Sequence, residues 1–260
     1  MFMKKRTIVI LVAATVLLNA AAIFGGVKLT EYFIEKNAAV SQFGYLSSMT
    51  DTGGDENADD VRESAGDVSE KELLARYSQL HALNGDFVGW IKIEGTEIDY
   101  PVMQTKDDPD FYLNHGFDKE YSIYGVPYVE EACTVGVSNN IVIYGHHMAN
   151  GTMFHELDGY MSYDFWQEHK TITFNTLEET AQYEVMAAFH YDTYGDSFRF
   201  NSYTDMDQSA FAEFVNCVKA REIYDTGIEA VYGDELITLS TCDYSGYPDG
   251  RFVVVAKKVK

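Results

Sequence analysis

The chain opens on an unbroken apolar run. Residues 7–27, TIVILVAATVLLNAAAIFGGV, carry no charge and only Asn19 is strongly polar; Lys4, Lys5 and Arg6 precede the run and Lys28 closes it. That length suits a bilayer core of about 30 Å, and the basic cluster is expected to stay on the cytoplasmic side. The competing reading is a cleaved signal peptide, for which NAAA at 19–22 supplies small residues after a shorter apolar core. Either way the rest of the chain is exported; the anchor reading makes this a single-pass cell-membrane protein with its working domain outside.

Beyond the run the pattern changes twice. Residues 51–70, DTGGDENADDVRESAGDVSE, are acidic and poor in large apolar side chains, so they cannot bury enough surface to offset their ordering and read as a solvated tether. A helix is predicted from Ser69, where Ser69 and Glu72 make a capping box, through Leu73, Leu74, Tyr77 and Leu80 to Asn84 and Gly85. After it come short extended runs at 87–93, 97–103, 125–129, 140–144, 171–175, 182–191, 235–241 and 252–258, the first two joined by EGT as a hairpin. Helical interruptions are predicted at 107–115 and 161–169, with the longest at 206–224, between the sixth and seventh strands. Eight short strands with scattered helices favour a mainly β fold with peripheral helices, closed or nearly closed as a barrel, over a parallel α/β sheet. The expected organisation is a cytoplasmic tail at 1–6, an anchor at 7–27, a tether at 28–68 and one working domain at 69–260. A chain of 260 residues, 46% hydrophobic, supports one such core.

Charge narrows the partners. The formal net charge of −22 argues against nucleic acid, and much of it sits in the tether. Three cysteines cannot all pair within the chain. Cys133 and Cys217 read as packing residues, a disulfide between them being the alternative, and Cys242 is left unassigned.

A thiol becomes a useful nucleophile only when ionised, which needs a base or a cation nearby. Histidines concentrate in NNIVIYGHHMANGTMFHEL at 139–157, where an apolar strand ends in Gly145 and delivers His146 and His147 to a loop. The plain alternative is a solvated pair capping a strand. A metal site at His146, His147 and His155 is disfavoured, since adjacent residues of an extended chain face opposite ways and no HExxH or CxxC spacing is present. Arg251 either opens the last strand against a surface carboxylate or is folded back toward Cys242, if DYSGYPDG between them makes a hairpin reversal through Gly246, Pro248 and Gly250. Asp243, next to Cys242, is expected as an exposed loop residue, the alternative being that it tunes the site. With reference pKa values of about 8.5 for Cys and 6.5 for His, the thiolate and imidazolium form would be about one per cent of the neutral pair. The two titrate as a unit.

TLSTC at 238–242 followed by Arg251 resembles the sortase signature, and IYGHHM with GTMF resembles the histidine region of class B sortases. NGDFVGWIKIEGTEIDYPVMQ at 84–104 and DFYLNHGFDKEYSIYG at 110–125 are similar to the opening of that class, as is a helix inserted before the cysteine strand. The resemblance runs from about residue 70 to the C-terminus. It implies an eight-stranded sortase-type β-barrel and a cysteine transpeptidase that needs no cofactor or metal. Cys242 matches the nucleophile that cuts a C-terminal sorting signal after threonine, His146 the general acid and base, and Arg251 the residue steadying substrate and oxyanion. His147 matches a second histidine given no catalytic role. Implied partners are surface proteins bearing a sorting motif, an amine of a peptidoglycan precursor or cross-bridge, and the membrane. Rival readings are a pilin-polymerising sortase using a lysine amine, and a non-catalytic surface binding module.

Overall fold

The computed structural model describes residues 5–50, 70–244, 247 and 249–259, with side chains from residue 13 onward. The chain divides into two compact units, Met1–Ser41 and Gln42–Lys260.

The first unit is helical. Helix α1, Lys5–Thr50, includes a span long and apolar enough to cross a membrane, with a mean hydropathy of 1.5. Its apolar side chains, among them Leu17, Leu18, Ile23, Phe24 and Val27, are exposed, as suits a helix that meets lipid or is removed as a signal. The helix does not stop where the uncharged run stops. It continues to Thr50, so residues 28–50, read as tether, are helical; nothing in KLTEYFIEK at 28–36 breaks a helix, since it lacks Gly and Pro. The acidic stretch at 51–69, with the Ser69 half of the capping box, lies outside the described residues.

The second unit is a closed eight-stranded barrel. Its strands are β1 (Phe87–Lys92), β2 (Asp99–Met103), β3 (Tyr128–Val129), β4 (Asn140–Tyr144), β5 (Thr171–Thr176), β6 (Gln182–Tyr191), β7 (Leu236–Asp243) and β8 (Gly250–Lys258). They close in the order β1-β2-β3-β4-β7-β8-β6-β5. Closure leaves no unpaired edge for another chain to extend. The β2/β3 and β4/β7 pairs are parallel and the rest antiparallel. A parallel pair needs a long return connection, and that between β4 and β7 carries β5, β6 and the inserted helix. The predicted EGT hairpin is present, with Gly95 at φ 79° and the Ile93 N–H donating to the Ile98 carbonyl at 2.9 Å. Strand β3 keeps only the last two residues of the expected 125–129, because Gly125 at φ 57° turns the chain there.

Helix α2 (Glu70–Leu83) buries Tyr77 and Leu80 and ends at Asn84, whose amide donates to Tyr112 Oη and the Phe117 carbonyl. The interruption predicted at 107–115 is a single 3₁₀ turn, Phe111–Leu113, and that at 161–169 is helix α3 (Tyr163–Glu168), preceded by 3₁₀ turns over Phe154–Met161. Helix α4 (Gln208–Lys219) starts on Asp207, which accepts from the Ala210 N–H at 2.9 Å, and buries Phe211, Phe214, Val215 and Val218.

Helix α4 is shorter than the predicted 206–224 because Arg221 ends it. Its Nη1 donates to the Cys217 carbonyl at 2.9 Å, the acceptor that its own N–H would use in a continuing helix, and that N–H turns to Val218 instead. The same guanidinium grips Asp196 with Nε and Nη2 at 2.8 and 2.7 Å, which fastens the loop after β6 to the end of α4. This hydrogen bonding holds the Asp196 carboxyl below its ordinary range. A depressed folded-state value means stabilisation that is full above the unfolded carboxylate's pKa of about 3.9 and is lost as pH falls through the folded value. Arg221→Ala is therefore expected to cost about 1–2 kcal/mol at pH 7, with the gap to the parent narrowing by pH 3. Urea unfolding at both pH values checks this, and an equal gap at both would contradict the pairing.

Candidate active site

Strand β7 is flanked by β4 and β8 and is buried along almost its whole length. Two of its polar side chains find partners on or just after β4: Thr238 Oγ1 donates to Asn140 Oδ1 at 2.9 Å, and Thr241 Oγ1 to the Gly145 carbonyl at 2.8 Å, whereas the buried Ser240 Oγ meets no partner among the described residues. Cys242, the next residue, is half-buried. It lies directly opposite Arg251 in the β7/β8 ladder, and Arg251 in turn lies opposite Tyr191 of β6. Side chains so paired share one face of a sheet, so Tyr191, Arg251 and Cys242 form a row across three strands. The hairpin reversal expected between Cys242 and Arg251 is therefore present. Its Gly246 and Pro248 lie outside the described residues.

His146 arrives from β4, the other neighbour of β7. Gly145 is pinned from both sides, its N–H donating to the Ser240 carbonyl at 3.1 Å and its carbonyl accepting from Thr241. Glycine is required at this point because a Cβ would lie 2.6 Å from the ring of Phe154, which is fully buried. Gly145→Ala is accordingly expected to destabilise by about 1–3 kcal/mol through overpacking. An unchanged urea midpoint would count against that packing. The His146 carbonyl accepts from the Phe154 N–H at 2.8 Å, and His146 Nε2 lies 2.7 Å from the Leu113 carbonyl. A carbonyl only accepts, so Nε2 is the donor there, and Nδ1 is the nitrogen left for other chemistry.

Cys242, His146 and Arg251 all line one cleft of about 800 Å³, together with Leu113, Tyr128, Tyr144 and Glu130. Two of its phenols, Tyr144 and Tyr128, are held in the protonated form. Burial, followed by Glu130, pushes the Tyr144 hydroxyl up, and Tyr144 Oη donates to Glu130 Oε2 at 2.6 Å. Burial and Asp110 do the same at Tyr128.

The remaining candidates fall outside this row. His147 turns to Asp158, with Nε2 2.7 Å from Oδ2, and its ring lies 4.4 Å from that of His155. Among the described residues no group of three or more His, Cys, Asp or Glu is arranged to hold a metal ion. Cys133 is fully buried, its thiol pushed up to about 12 chiefly by that burial. Cys133, Cys217 and Cys242 are all free thiols. Asp243 departs from expectation: it is the last residue of β7, 4% exposed, and Oδ2 lies 2.6 Å from His190 Nδ1. The turn-forming residues that follow it made it look like loop, but the ladder reaches Gly250 opposite it.

One closed barrel thus carries a half-buried cysteine opposite an arginine, with a histidine delivered from the neighbouring strand to the same cleft. A family model described as the sortase domain matches residues 91–259, and the chain belongs to the sortase family. Its relatives are of class B. It is 34% identical over 192 residues to sortase B of Listeria monocytogenes serovar 1/2a, covering 72% of this chain and 76% of that one. The Staphylococcus aureus sortase B–substrate complex superposes with a TM-score of 0.64 at 31% identity, over 72% of this chain and 85% of that one. Sortase B from B. anthracis in complex with AAEK1 gives 0.70 at 27% identity, over 88% and 99%. The expected class B resemblance and eight-stranded barrel are both borne out, and the activity of the family, cell-wall sorting by transpeptidation, is the class of activity of this chain.

Proposed function

We propose that this chain is a membrane-tethered sortase that cuts a C-terminal sorting signal after threonine, holds the acyl fragment as a thioester on Cys242 and passes it to a cell-wall peptide amine. The observation that carries the reading is the row of Cys242 opposite Arg251, with His146 fixed to the same strand end through Gly145. A relative solved as a sortase B–substrate complex supports a substrate-binding role for this chain.

The steps follow from the groups present. The Cys242 thiolate attacks the threonine carbonyl carbon, forming the C–S bond and moving an electron pair onto oxygen. Arg251 donates to that oxygen, which is where a fixed donor matters most. The tetrahedral species collapses, the C–N bond breaks, and His146 gives its proton to the departing amine. The acceptor amine then attacks the thioester, His146 removes its proton, and the Cys242 sulfur leaves. Helix α1 acts as the anchor, N-terminus inside, and holds the enzyme beside substrates that are themselves membrane-retained, which raises their effective concentration.

Internally quenched hexapeptides with threonine fixed at the fourth position, offered with oligoglycine, a lysine-bearing peptide or water alone, test the reading. Cleavage that oligoglycine accelerates, absent in Cys242→Ala, supports cell-wall attachment. Acceleration by the lysine peptide alone would replace it with pilin polymerisation, and no cleavage across the library would favour a binding module.

A further inference from the structure

We propose that Thr193 and Tyr194, in the loop after β6, are positioning residues that set the aim of Arg251 through Asp249, Thr193 by way of its carbonyl and Tyr194 by way of its carboxylate. The proposal rests on the reading of Arg251 given above and extends it to residues that do not themselves meet the reacting atoms.

Asp249 is the junction. Its carbonyl accepts from Thr193 Oγ1 at 2.6 Å and from Arg251 Nη1 at 3.0 Å, so one oxygen ties the loop to the guanidinium. Its carboxylate accepts from Tyr194 Oη at 3.1 Å. Arg251 Nη1 also donates to the Gly250 carbonyl at 3.0 Å. Both N–H groups of Nη1 are thereby used by the turn, and Nε and Nη2, which meet no acceptor among the described residues, are the donors assigned to substrate. Asp249 itself sits at φ 56°, in the left-handed region that aspartate enters more readily than most non-glycine residues.

The loop that supplies these contacts is well anchored. Arg199 Nη1 donates to the Thr193 carbonyl at 2.8 Å and to Tyr191 Oη at 2.9 Å, and the Tyr194 N–H donates to Asp192 Oδ1 at 3.0 Å. Farther along, Asp196 is held by Arg221 at the end of α4. A path of hydrogen bonds thus runs from the inserted helix, through the loop, to the arginine opposite Cys242. Among these residues Thr193, Tyr191, Arg199 and Arg251 line the cleft, so a peptide lying there meets the loop and the arginine together.

The test uses the full chain in detergent and single-turnover acyl-enzyme formation with the quenched hexapeptides, so that slow variants stay readable. Thr193→Val, which keeps the shape and removes the donor, should slow acylation about three- to tenfold at saturating peptide, and Thr193→Ser should restore it. Tyr194→Phe, a change at an exposed hydroxyl, should give a smaller loss of the same kind. In an Arg251→Lys background, Thr193→Val should add nothing further, because the group it aims is gone. An equal loss in both backgrounds, or no loss with the parent arginine, would overturn the proposal and leave Arg251 with its role. If Arg251→Lys alone acylates at the parent rate, the reading of Arg251 fails and the proposal falls with it.

Discussion

Arg251→Lys is expected to lower turnover about 10²- to 10³-fold while leaving the unfolding midpoint close to that of the parent. The substitution keeps the charge, yet charge alone is not what the geometry uses. One end of the guanidinium is committed to the carbonyls of Asp249 and Gly250, and only a planar fork can hold that turn and still present donors elsewhere. An ammonium group has no such second side. Loss of a donor aimed at a developing oxyanion costs about 3–4 kcal/mol in other acyl-transfer sites, which sets the size of the effect. Steady-state kinetics on the quenched peptides reads it, and near-parent rates would remove Arg251 from the mechanism.

His146→Gln is expected to slow acylation about 10²- to 10⁴-fold. Glutamine is the informative replacement because its amide can still donate to the Leu113 carbonyl that His146 Nε2 meets at 2.7 Å, so the loop should keep its place. What it cannot do is carry a proton. The variant should therefore fold as the parent does, with an unchanged urea midpoint, and still lose acylation. Only a few-fold loss in rate would put the general acid elsewhere.

Much of the barrel was legible because its strands announce themselves locally. The β7/β8 reversal could be anticipated, as one of two readings of Arg251, from one cysteine, one arginine and the turn residues between them, but the pairing of Cys242 with Arg251 depends on the ladder itself. His146 was legible for a similar reason, an apolar strand ending in a glycine. What the sequence hid is what depends on distant partners. Nothing near Leu113 indicates that its carbonyl will meet an imidazole, and nothing near Asp158 shows that it will take His147. Asp243 was misread as loop because burial of a carboxylate depends on His190, far away in the chain. The expected helix α4 runs too far because no Gly or Pro interrupts residues 206–224, so nothing local marks the point where Arg221 takes a helical carbonyl for its side chain. The contribution of Thr193 is of the same kind, since a threonine after a strand has no local signal of what its hydroxyl will hold.

The central claim is that Cys242 carries the acyl fragment. Intact-mass measurement of the full chain after mixing with a cleaved hexapeptide, in the absence of added amine, tests it most directly. The account predicts a mass gain equal to the N-terminal fragment less the elements of water, mapped by digestion to Cys242, removed by hydroxylamine and absent in Cys242→Ala. Cleavage that proceeds in Cys242→Ala, or an adduct that maps to Cys133 or Cys217, would contradict it.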